Sequence, residues 1–338
     1  MTDQMRAWVV SGRFGSLDRL QPGRRPVPEP GPGEVLVRVD VCGVCRTDLH
    51  LADGDLAPKA ARVTPGHEVV GRVEELGAGA DRFAVGDRVG IAWLRHTCGV
   101  CSACRSGSEN LCRRAEFTGW DAHGGFADFA TVPEGFAYRL PDSFDDVTAA
   151  PLLCSGIIGY RALRRANVPP GGRLGIYGFG ASAHLTAQLA IGLGMEVHVL
   201  TRGESAARLA LELGAASVGP ADGMPPVPLD GSIMFAPVGH LVLPAMAALD
   251  QGGTLAVAGI HLTDVPQMNY QEHLFREKTL TTVTANTRTD GEEFLRLAAR
   301  LGVRPQTRVY RFDEAAKALD DVDQGRIDGA GVLQVSDG

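Results

Sequence analysis

Arg173-Leu-Gly-Ile-Tyr177-Gly178-Phe179-Gly180-Ala181-Ser182-Ala183, with the run that continues to Leu193, is the stretch from which the fold is read. Residues 173–177 have the apolar character of a strand, and residues 183–193 carry a helical pattern. A lone G-x-G is often only a tight turn. Here the strand before it and the helix after it complete the G-x-G-x-x-A form of a dinucleotide-binding turn. Gly178 permits the turn, Gly180 lets a pyrophosphate approach the backbone, and Ala183 is small enough for the helix to pack on the strand. The helix start, with Phe179, Ala181 and Ser182 in the turn, then faces the anion.

Downstream the alternation continues. Strand patterns fall at 196–200, 231–235, 254–258 and 280–285, and helical patterns at 205–213 and 244–249. Such alternation implies a parallel, doubly wound α/β sheet with right-handed crossovers. The second strand ends Val197-His-Val-Leu200-Thr201-Arg202, without the acid that would favour the ribose of NAD(H). Thr201 and Arg202 offer a hydroxyl and a guanidinium to a 2′-phosphate, so NADP(H) is expected over NAD(H). The alternative makes Arg202 a solvated surface residue and lets Glu204 reach the ribose.

Upstream, from Trp8 to about Ala150, short strand-like runs such as 35–41 and 69–73 are broken by Pro and Gly clusters, which implies a β-rich region. The patch 22–32 is expected to be a proline-stiffened connection. After Asn286 a helix at 291–301, a strand around Val309, a helix at 313–319 and a strand at 331–335 are expected to return to the first domain. The expected division is therefore 1–153, 154–285 and 286–338.

The 338 residues suit roughly two domains. With 44% hydrophobic and 22% charged residues, a mostly disordered chain is excluded. The net charge of -7 leaves no broad basic field for nucleic acid or an anionic membrane. No segment approaches the roughly 20 apolar residues of a bilayer span, and a cytoplasmic protein is expected. In such a setting seven cysteines read as metal ligands or reactive thiols rather than disulfides.

Four of them, Cys98, Cys101, Cys104 and Cys112, lie in one loop at spacings that close a tetrahedral structural Zn²⁺ site. Bare clustered thiols would be prone to oxidation. The ferredoxin run needs a shorter last spacer followed by Pro, and a zinc-ribbon module would want basic surroundings. A second constellation joins Gly43-Val-Cys45-Arg46-Thr47-Asp48-Leu-His50, Gly66-His67-Glu68 and Leu152-Leu-Cys154-Ser-Gly156. Alone, each Cys or His is an ordinary buried residue. Together Cys45, His67 and Cys154 supply two thiolates and an imidazole, leaving a fourth zinc position for substrate. Asp48 is placed to orient the distal nitrogen of His67.

On these motifs, with the four-cysteine loop and the glycine-rich turn, the sequence resembles the zinc-dependent medium-chain alcohol dehydrogenases, in particular the cinnamyl-alcohol-dehydrogenase-like bacterial branch. Cys2His is the known catalytic set of that family, so this assignment comes from the family as much as from the residues. The resemblance implies a GroES-like catalytic domain plus a Rossmann domain, two Zn²⁺ per chain, and hydride transfer between NADP(H) and primary alcohols or aldehydes, aliphatic or aromatic. It also implies a homo-oligomer, dimer or tetramer. Zinc would act as a Lewis acid on the substrate oxygen. Thr47 and His50 are implied as a proton relay with His50 at the surface, Arg46 as a pyrophosphate contact, and Gly259 and Ile260 as neighbours of the nicotinamide. Trp93, Leu94 and Trp120 are implied as pocket walls that favour slim primary substrates. Glu68 either reaches the zinc during ligand exchange or binds nearby backbone. Relatives often carry a phosphate-binding Arg after the C-terminal glycine; here Gly329 is followed by Ala330. The alternatives are the same reaction with NAD(H), a zinc-free reductase of the superfamily, which would lack Cys45, His67 and Cys154, and a non-catalytic zinc-binding interaction protein, which would have no cofactor turn.

Overall fold

The computed structural model describes residues 4–12, 18–56, 59 and 62–336. They form two units: Met1–Cys154 with Ala285–Leu295 and Gln306–Gly338, and Ser155–Thr284 with Arg296–Pro305.

The first unit is built on a seven-stranded sheet whose centre is Glu34–Val44. This valine-rich strand is buried along most of its length and pairs antiparallel with Val69–Leu76, Phe129–Pro133 and Ala330–Gln334. Thr307–Arg311 extends the sheet beyond Ala330–Gln334, while Arg88–Ile91 and Ala137–Arg139 close its other side. Val35, Val37, Val69, Val89, Ile91, Phe126 and Leu333 form its core, each essentially free of solvent. Segment 22–32 differs from expectation in its first half. Leu20–Pro26 is a strand, antiparallel to Gln4–Val10 in a two-stranded sheet. Proline survives there because an edge strand has one row of N–H groups with no partner to lose.

The second unit holds a six-stranded, all-parallel sheet in the order Ser217–Gly219, Glu196–Leu200, Arg173–Tyr177, Leu229–Met234, Leu249–Val257, Thr279–Thr282. Numbered within the unit this is 3-2-1-4-5-6, the dinucleotide-binding order, with Arg173–Tyr177 at the point where the winding reverses. Tyr177, Leu200, Met234 and Leu255 are packed into its core.

The boundaries depart from 153/154 and 285/286 in three places. Cys154 closes the first unit rather than opening the second, Ala285 falls in the first unit, and Arg296–Pro305 belongs to the second. The cause of the third departure is packing: a Cβ on Gly192 would meet Leu301 at 3.1 Å, and the Arg304 N–H donates to Gln188 at 3.0 Å. Among the described residues no helix is long and apolar enough to cross a membrane.

Candidate active site and metal centres

Cys45 follows the central strand and caps the helix Arg46–Asp53. Its Sγ accepts from the Thr47 N–H at 3.3 Å, and Asp48 Oδ2 accepts from the Cys45 N–H at 3.0 Å, so ligand and helix start fix each other. The second oxygen of Asp48 accepts from the Gly66 N–H at 3.0 Å and lies 3.2 Å from His67 Nδ1. This leaves Nε2 facing Cys45 Sγ at 3.2 Å. Gly66 stands at φ +99, and a Cβ there would come within 2.5 Å of Phe126. Cys154 lies in a π-helical turn, Leu152–Gly156, between the helices Asp146–Pro151 and Ile157–Ala166. Extra-residue turns of this kind are common where a side chain must be re-aimed for function.

Ligand atoms of Cys45, His67, Glu68 and Cys154 all lie within 4.8 Å of one another. His67 and Glu68 are fully buried, and both Glu68 oxygens are without a hydrogen-bond partner among the described residues. The hydrogen bond with Cys154, assisted by the His67 charge, holds the Cys45 thiol well below its ordinary range. That same bond, together with burial, pushes Cys154 well up. Burial pushes Glu68 up as well, and the Cys45 charge adds to it. Burial opposes a charged His67, but Cys45 and Asp48 outweigh it and raise the imidazole. Acidic groups thus crowd one imidazole and must share protons. A divalent cation with borderline-soft character takes the place of those protons on sulfur and nitrogen, so the donor set fits zinc.

The other residues implied for this site are brought near it unequally. Trp93 meets His67 edge-on at 4.8 Å between ring centroids and stacks on Phe117 at 5.0 Å and on Trp120 at 6.0 Å. Leu94 is 1% exposed and packed into the sheet core. Thr47 sits in the first turn of the helix, half-buried. His50 is less superficial than expected: its side chain is 14% exposed, and Nδ1 lies 2.8 Å from Asp55. Arg46 is exposed and donates to the Val322 carbonyl at 3.2 Å. Sequence reasoning missed three contributors. Lys59, whose ammonium lies over Trp120, and Asp121, paired with Lys59, carry no pattern that separates them from solvated surface charges. Gly43 is the third: a Cβ there would overlap Glu68 Oε2 at 1.8 Å, and the G-x-C spacing was its signal.

In the four-cysteine loop the sulfurs of Cys98, Cys101, Cys104 and Cys112 also lie within 4.8 Å of one another. Cys98 and Cys101 approach Cys104 at 3.9 and 3.5 Å. The backbone N–H of Val100 and the Arg114 side chain draw the Cys98 thiol down to about 5, the behaviour of a ready thiolate. Four sulfurs at this separation fit a closed tetrahedral ion. The base of the loop is tied down by Glu109, which takes a forked ion pair from Arg288 at 2.7 Å.

In the second unit, Gly178 has φ +84, and a Cβ there would meet the Ala236 backbone nitrogen at 3.0 Å. Its N–H donates to the Leu200 carbonyl at 2.8 Å. At Gly180 a Cβ would find nothing within 4 Å, and no side chain caps the helix Ala181–Gly192 that starts there. Ala183, on the first turn of that helix, is fully buried. An open backbone cradle at an uncapped helix start fits a pyrophosphate. Thr201 is half-buried at the end of Glu196–Leu200, Arg202 is exposed beside it, and Glu204 begins the next helix. Gly259 and Ile260 follow the strand Leu249–Val257, with Ile260 53% exposed.

A β-rich unit presenting a Cys–His–Cys cluster, joined to a unit of 3-2-1-4-5-6 topology with an open glycine turn, defines a nicotinamide-linked medium-chain dehydrogenase. Residues 31–142 match the alcohol dehydrogenase GroES-like domain. The probable alcohol dehydrogenase AdhA of Mycobacterium tuberculosis is 57% identical over 341 residues, covering 99% of this chain and 98% of its own length. The structure is similar to a cinnamyl alcohol dehydrogenase of Sorghum bicolor, with 29% identity, a TM-score of 0.88 and 98% of each chain covered. It is also similar to a cobalt- and zinc-bound thermostable alcohol dehydrogenase of Pyrobaculum aerophilum, with 25% identity, a TM-score of 0.89, and 98% of this chain and all of that one covered. The chain belongs to the family of zinc-dependent medium-chain alcohol dehydrogenases.

Proposed function

We propose that the protein is a zinc-dependent alcohol dehydrogenase and aldehyde reductase with two zinc sites, acting between NADP(H) and primary alcohols or aldehydes. The observation that carries this is the convergence of the half-buried Cys45 and Cys154 with the buried His67 and Glu68 on one point. Cys45, His67 and Cys154 hold the catalytic zinc, and Cys98, Cys101, Cys104 and Cys112 the structural one. When bound, zinc polarises the substrate oxygen and the nicotinamide accepts or returns the hydride.

The chain's own residues do the rest. Asp48, 3.2 Å from Nδ1, orients the His67 ring so that Nε2 is left for the ion. The Thr47 hydroxyl takes the substrate proton and His50 passes it to solvent, its ring steadied by Asp55. Trp93 and Trp120 exclude water from one side of the site and admit flat or slim substrates. The Gly178–Gly180 turn and the helix start after it receive the pyrophosphate. Thr201 and Arg202, with no carboxylate at the strand end, support a 2′-phosphate and hence NADP(H).

The test is metal content per chain with initial rates for benzaldehyde and a short aldehyde, using NADPH and NADH in parallel. Two zincs and faster NADPH oxidation are expected. Faster NADH oxidation would keep the enzyme and discard the role of Arg202; a chain without zinc, or one that binds neither nicotinamide, would overturn the reading.

A further inference from the structure

Lys59 is neither a metal donor nor part of the aromatic wall, yet it closes the wall's outer side. Its Nζ stands 4.2 Å from the ring centroid of Trp120 and 2.6 Å from Asp121 Oδ1. Asp121 is itself anchored, because its Oδ2 accepts from the Phe117 N–H at 2.9 Å, and its side chain is only 13% exposed. The ammonium is therefore fixed by a carboxylate that the wall's own backbone holds in place. Trp120 also stacks on Trp93 at an interplanar angle of 11° and on Phe117 at 24°, and Trp93 meets the imidazole of His67. An indole stacked on near-parallel rings and approached by a cation is held by packing and by electrostatics together.

We propose that Lys59 is a specificity-determining residue: it clamps Trp120 against Trp93 and so restricts the substrates to alcohols and aldehydes that are slim at the reacting carbon, turning away branched secondary alcohols. This rests on the alcohol dehydrogenase reading above and narrows its substrate class. Lys59 acts through Trp120 and touches no reacting atom. Removing the ammonium takes away the electrostatic part of this hold, so the indole turns more freely on Trp93 and Phe117 and leaves room for a substituent on the carbinol carbon.

The experiment compares the zinc-loaded parent with Lys59→Met, Lys59→Arg and Asp121→Asn. Lys59→Met keeps the bulk of the stem, Lys59→Arg keeps the cation, and Asp121→Asn keeps the acceptor for Phe117 while removing the counter-charge. Two quantities are read: the ratio of kcat/KM for 1-phenylethanol to that for butan-1-ol, and the near-ultraviolet circular dichroism of the coupled Trp93–Trp120 pair. In Lys59→Met the ratio is expected to rise about fivefold, chiefly through a lower KM for the branched alcohol, and the dichroic signal to shrink. Asp121→Asn moves both in the same direction, and Lys59→Arg stays with the parent. An unchanged ratio in Lys59→Met, or an equal rise in Lys59→Arg, overturns the proposal. So does an unchanged dichroic signal in Lys59→Met, whatever the turnover. A parent that oxidises neither alcohol overturns the alcohol dehydrogenase reading, and the specificity assigned to Lys59 falls with it.

Discussion

Asp48 accepts from the Cys45 N–H with one oxygen and from the Gly66 N–H with the other, which also faces His67. One carboxylate, 2% exposed, thus sets the positions of two donors that are 22 residues apart in the chain. Its negative charge also favours the basic imidazole. Asp48→Asn keeps the shape but loses the charge and turns a donor towards one of the three partners. Zinc affinity of the Cys45 site is expected to fall about 10- to 100-fold, read by competition with a chromophoric chelator. Equal affinities in the two proteins would show that Asp48 is only a helix cap. Neighbouring Gly43 is constrained from the other side, since any Cβ would displace the Glu68 carboxylate.

Among the elements, the strand Arg173–Tyr177 and the helix after it were legible because three requirements coincide in a short run: an apolar strand, glycines where the backbone turns, and a small residue where the helix crosses. Gly178 bears the greatest load. Gly178→Ala puts a Cβ on a left-handed φ and against the Ala236 nitrogen, and is expected to cost about 1–2 kcal/mol. Its nucleotide Kd should rise with that loss, measured by thermal unfolding and by titration with NADPH. A variant with parental stability and binding would remove the turn from the site. Other elements were less legible. The strand Leu20–Pro26 is hidden by Pro22 and Pro26, because sequence reading treats proline as a breaker without knowing which strands lie at an edge. The turn Leu152–Gly156 has no pattern of its own; Cys154 was found through its chemistry, and the extra residue that aims it was invisible.

Across the whole molecule, residues far apart in sequence complete the first unit. Glu109, at the base of the four-cysteine loop, is held by Arg288 from the returning segment. Burial works against its ionisation, but the side-chain and backbone donors of Arg288 prevail and hold its carboxyl below the usual range. A depressed folded pKa means that the pair stabilises above the unfolded value and that this contribution disappears as pH falls through the folded value. Glu109→Gln is expected to cost about 1–2 kcal/mol at pH 7, discounted because Arg288 is partly exposed. In urea unfolding from pH 7 down to 3 the gap between the two proteins should close below about pH 4.5. A gap that does not change with pH would mean that the charge is not the cause. The family resemblance implied that the C-terminal segment returns, but nothing in the sequence marked Arg296–Pro305 as part of the second unit, because that choice depends on Leu301 finding Gly192 and Arg304 finding Gln188.

The pairing of Ala330–Gln334 with Glu34–Val44 also sets an order of events during synthesis. On the ribosome, the strand Glu34–Val44 waits for one of its neighbours until Ala330–Gln334 has emerged. The six parallel strands of the second unit are all translated by Thr282 and have no such wait. The later-encoded unit can therefore be finished first, leaving the seven-stranded sheet of the first unit with an open flank that a chaperone or a second nascent chain would find until Ala330–Gln334 arrives.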